Sequence, residues 1–105
     1  MTAITDIDVT ESSPNPGLKE FYVQTRNTVD ATDTIAITLA DYGVHEDGFL
    51  AILGWKHTTD NSVVVPEDPT VAVASGVLTI TVPSGTDDDM RVYKVTGRAI
   101  ANDVD

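Results

Sequence analysis

Two histidines, a run of three aspartates and a single tryptophan are the side chains here with the most evident chemistry. His45-Glu46-Asp47 form one short segment, and His57 follows twelve residues after His45. Imidazole with carboxylate is a transition-metal donor set. That separation is no local ligand spacing, however, and no His-x-x-x-His pair occurs, so exposed or partly packed histidines are the expected reading. Asp87-Asp88-Asp89 could offer oxygens to Ca²⁺. The run lacks the alternating ligands and internal Gly of an EF-hand loop; a solvated turn that blunts a strand end or contact with a basic partner suits the same residues. Trp55 could stack on a sugar ring, but it is in phase with Phe49 and Leu53 and reads as core. Ser75-Gly76 and Ser84-Gly85 are turn serines, and no Gly-x-Ser-x-Gly is present. The seven glycines are scattered and form no phosphate loop. A two-carboxylate glycosidase cleft has little room in so short a chain. The residues point away from an enzyme and imply no cofactor and no metal.

The elements that would position these residues are strands. Thr34 to Ala40 puts Ile35, Ile37 and Leu39 on one side of an extended chain, and Val77 to Val82 does the same with Leu78 and Ile80. A period of two marks strands with one face buried and one wet. Phe21, Val23 and Thr25 alternate with polar neighbours in an earlier strand, and Arg91 to Ile100 forms the last. Residues 41–48 read as a loop closed by the Asp47-Gly48 turn signal. Phe49 to Thr58 is the most apolar strand: strict alternation places Phe49, Ala51, Leu53 and Trp55 on one face and Leu50 and Ile52 on the other. A strand apolar on both sides is either covered twice or carries an intersubunit patch. Pro66 and Pro69 confine Val63 to Pro69 to an edge or a loop. Val71 to Val82 reads as a hairpin around Ala74-Ser75-Gly76. The expected core includes Ile35, Ile37, Leu39, Leu53, Trp55, Leu78 and Ile80. The fold class is all-β, a small antiparallel β-sandwich or flattened barrel with an extended N-terminal arm. The arm spans 1–18 and the sandwich domain 19–105.

Composition bounds the partners. The chain has 105 residues, no cysteine and a net charge of −11, from 17 acidic and six basic side chains. Such a surface repels phosphate backbones and anionic lipids, so neither nucleic acid nor membrane is an expected partner. Asp outnumbers Glu by 13 to 4, as in proteins of high-salt organisms; ordinary acidic solubility explains it as well. No apolar run approaches the ~20 residues that span a bilayer, and residues 1–20 show no basic start followed by an apolar stretch. Synthesis in a cytoplasm is expected, with any exit by a route other than a signal peptide.

Residues 1–18 combine β-formers with Glu11-Ser-Ser-Pro-Asn-Pro-Gly17, which is rich in breakers. Ile4, Ile7 and Val9 are sparse for a core, and Pro14 and Pro16 hold the chain extended. They therefore join Leu50 and Ile52 as candidate partner-interface residues. The alternative is that Ile4, Ile7 and Val9 form a first strand of the same domain. The arm at Thr2 to Gly17, the strand Thr34 to Ala40, the apolar strand Phe49 to Thr58 and the hairpin Val71 to Val82, in an acidic cysteine-free chain, resemble the small decoration or cement proteins of tailed-virus capsids. The resemblance implies a virion structural protein on a capsid lattice, held by the major capsid protein or another virion protein. It also implies a homo-oligomer, a trimer by preference, and a place on the capsid surface, with a salt-loving host to suit the aspartates. A carbohydrate- or surface-binding module, using Tyr22, Tyr42 and Tyr93, and a spike or tail fitting of the same particle are the alternatives.

Overall fold

The structure, a computed structural model, describes residues 2–11, 17–26, 29, 32–58, 63–83 and 89–99. Eight strands appear in chain order: β1 Asp8–Glu11, β2 Leu18–Gln24, β3 Thr34–Thr38, β4 Val44–Thr58, β5 Val63–Pro66, β6 Thr70–Ala74, β7 Val77–Thr81 and β8 Met90–Ala99. A 3₁₀ turn at Leu39–Tyr42 links β3 to β4. One sheet has five strands in the order β1-β2-β8-β4-β5, the other three in the order β3-β7-β6, and every strand pairing is antiparallel. The chain is therefore all-β, two sheets enclosing one core.

The core forms where the alternations of both sheets converge. Ile35, Ile37, Leu78 and Ile80 come from the three-stranded sheet, Phe21, Val23, Tyr93 and Val95 from the other, and Leu39 and Val44 close one end. Each such side chain contributes roughly 1.5–3 kcal/mol by leaving water. The hairpin turn between β6 and β7 is tight because Ser75 (φ 52°) and Gly76 (φ 77°) both take positive φ, the geometry whose twist matches that of the flanking strands.

β4 departs from expectation in two ways. It starts at Val44, paired with Ala99, so residues 44–48 are strand rather than loop. Gly48 is not a turn residue: a Cβ there would lie 2.9 Å from the Arg98 carbonyl oxygen. The glycine serves close backbone approach. The phase of the strand also changes. Phe49 faces Gly97 and Ala51 faces Thr96, so Leu50 is an extra residue, a β-bulge. Beyond it Ile52 and Gly54 point inward, while Leu53 and Trp55 turn to the outer face. Leu53 is 52% exposed and Trp55 only half-buried, so neither is a core residue.

Residues 2–11 lie on the sandwich itself, which is the first-strand alternative. Ile4 N–H donates to Thr34 O at 2.7 Å, and Thr34 N–H donates to Thr2 O at 2.8 Å. β1 then pairs along β2 in the other sheet. Ile4, Ile7 and Val9 pack against the core. One segment thus bridges both sheets and closes one side of the sandwich. Pro14 and Pro16 lie outside the described residues.

The opposite side is bounded by β5 and β6. Glu67 N–H donates to Gly54 O at 2.9 Å. Hydrogen-bonding direction alternates along a strand, so Val65 and Val63 address β4 while Val64 and Pro66 face away from the sheet. The missing N–H of Pro66 falls on the open edge.

Candidate functional site

The side chains with potential chemistry are not brought together. His45 and His57 sit toward opposite ends of β4, roughly 40 Å apart along an extended chain. His45 Nδ1 accepts a hydrogen bond from Asp47 N–H at 3.0 Å, with Arg98 Nη2 3.5 Å away. His57 pairs with Met90 and Val64 in the ladder. Asp89 is held by its backbone: its N–H donates to Val29 O and its carbonyl accepts from Arg91. Asp87 and Asp88 lie outside the described residues. Among the described residues no group of three or more His, Asp or Glu is arranged to hold a metal ion.

A buried polar cluster closes one end of the sandwich. Arg91 is fully buried. Its Nε donates to Glu67 Oε1 at 2.9 Å, and its Nη1 donates to the carbonyls of Val29 and Asp89 at 2.8 and 2.7 Å. Its backbone N–H donates to Thr25 Oγ1. One guanidinium thereby ties the segment after β2, the start of β8 and the β5–β6 connection, and fills a structural role. The sequence carried the signal: Arg91 is in phase with Tyr93 and Val95, so alternation alone turns it inward.

The aromatic side chains are mostly committed to packing. Tyr93 lies in the core beside this cluster, and its hydroxyl has no hydrogen-bond partner. Burial pushes its phenol above the ordinary range; the Glu67 carboxylate pushes the same way and Arg91 opposes. Tyr42 stacks on Phe21 with ring centroids 5.0 Å apart. Tyr22 and Trp55 remain, half-buried on the outer face of the five-stranded sheet.

What the surface offers instead is apolar area on an acidic body. Leu50 at the bulge is 58% exposed, and Val63, Val65 and Val73 border the open side. A shallow cavity of about 250 Å³ lies there, lined by Phe49, Val73, Glu46 and Asp47. Of the candidate interface residues, Leu50 is on this surface, Ile52 packs against the core, and Ile4, Ile7 and Val9 pack at the closed side. Sequence reasoning did not find Val63, Val65 and Val73 because their exposure depends on which strands become edges. No described helix is long and apolar enough to cross a membrane.

No family model matches the chain, and no curated protein sequence matches it. Among solved structures the chain is similar to the bovine atadenovirus type 4 fibre head protein, with a TM-score of 0.49 and 14% identity over 89% of each chain. At that identity no functional residue carries across.

Proposed function

We propose that the protein is a non-enzymatic structural component of a virus particle that decorates and stabilises a capsid lattice. The observation that supports this reading is the asymmetry of the sandwich. One side is closed by residues 2–11, while the other leaves Leu50, Val63, Val65 and Val73 between 40% and 58% exposed. A margin with exposed apolar side chains along its length, on a strongly charged small domain, suits a protein-contact surface. The cavity beside Phe49 and Val73, flanked by Glu46 and Asp47, suits an aliphatic or basic side chain from a lattice subunit. The test is sedimentation of intact particles from cells producing the protein. The chain should appear in stoichiometric amount with the particles, and Leu50→Lys with Val73→Lys should leave it in the soluble fraction. A chain found only in the soluble fraction, or a double variant that decorates normally, would overturn the reading.

A further inference from the structure

We propose that the outer face of the five-stranded sheet binds a second copy of the chain. The inference goes beyond the virion reading and does not depend on it. On this face Trp55 stands between Val92 and Pro66 in the ladder, with Leu53 and Val64 next to them. Leu53 is 52% and Val64 51% exposed. These side chains project from three neighbouring strands, β8, β4 and β5, so they form a continuous strip and not scattered single residues.

Charge identifies the occupant. Each copy carries −11, so two copies repel wherever the excess lies. Register places Asp8, Glu20, Lys94 and Arg98 on this face, and Arg26 joins them by pairing with Asp8 at 2.9 Å and with Asp6 at 3.2 Å. Three of these six are acidic and three basic, and Lys94 already pairs with Glu20 at 3.3 Å. The face is therefore balanced, and two copies meeting on it do not oppose one another locally. A basic partner gains nothing there that the acidic remainder of the surface does not offer better.

Area sets the strength. Five strands at ~4.8 Å spacing and a ten-residue β8 at ~3.3 Å per residue bound the face at about 800 Å². That is near the per-partner size of a stable interface. β1 and β5 have four residues each, so the true footprint is smaller and the pair is reversible. The same patch meets itself, which makes the contact two-fold and closed at two copies, unlike the trimer that the capsid resemblance implies.

The test uses the purified full chain alone. Trp55 is the single tryptophan, so its emission reports this face. Sedimentation velocity should show a monomer–dimer equilibrium, with Trp55 emission shifting to the blue as concentration rises. Salt should strengthen the dimer, because it screens the repulsion between acidic bodies and favours apolar burial. Leu53→Lys lowers the net negative charge yet should weaken dimerisation about tenfold or more. Val64→Lys should do the same, and Val73→Lys, on the three-stranded sheet, should not. Monomers at every concentration and salt, a trimer, dimers that salt dissolves, or a Leu53→Lys chain that pairs like the parent while keeping its circular dichroism would each overturn the proposal. None of these outcomes bears on particle binding, which is read in a different experiment.

Discussion

Tyr93 brings a hydroxyl into the core without a hydrogen-bond partner. Gly54 makes room for the ring, since a Cβ at that position would lie 2.8 Å from it. A buried unpaired hydroxyl costs about 1–3 kcal/mol, so Tyr93→Phe should leave stability at neutral pH unchanged or raised, as read by the urea midpoint. The pH dependence has a defined sign. The phenol is harder to ionise in the folded chain than in the unfolded one. Its contribution is therefore complete below the unfolded value near pH 10 and is lost as pH rises from there toward the higher folded value. The parent should lose urea resistance above about pH 10 more steeply than Tyr93→Phe. Equal alkaline slopes would show that Tyr93 ionises as freely folded as unfolded.

At the scale of elements, the N-terminal segment behaves as part of the sandwich. A chain beginning at Lys19 loses β1, the bridge to Thr34 and the packing of Ile4, Ile7 and Val9. Partial burial of three aliphatic side chains amounts to about 3 kcal/mol, so the truncated chain should melt well below the parent in a thermal scan. An unchanged melting temperature would mean that the segment adds nothing to the body. The same elements show what could be read beforehand. β3 and β7 were legible in Ile35, Ile37, Leu78 and Ile80, because unbroken alternation is a local property of the chain. The outward orientation of Leu53 and Trp55 was not, because one extra residue at Leu50 reverses the phase. That bulge is set by pairing with Gly97 on β8, more than forty residues away in sequence. The same limit applies to the candidate surface: Leu50 was legible as an apolar residue on the weaker face of β4, but the openness of β5 and β6 follows from sheet order alone.

Over the whole molecule, one margin is sealed by the chain's own start and the other ends in bare strand. A margin of exposed valines resembles the end of an unfinished sheet, and such an end is a seed on which further copies can stack without limit. Pro66 is the stop. It occupies an outward-facing position of β5, where any other residue would present an N–H to an incoming strand, and it leaves Val64 as the one amide of β5 open to a newcomer. Growth from so short a foothold gains too few hydrogen bonds to offset the ordering of another chain. Restoring the amide with Pro66→Val would present a row of four valines with two outward amides in place of one. That variant should convert to thioflavin-positive filaments during quiescent incubation at a concentration at which the parent stays clear. If it stays clear as long as the parent, the guard lies elsewhere, in the charge that keeps the copies apart. Conversion to filaments would show that a single missing hydrogen separates a discrete protein from an open-ended polymer.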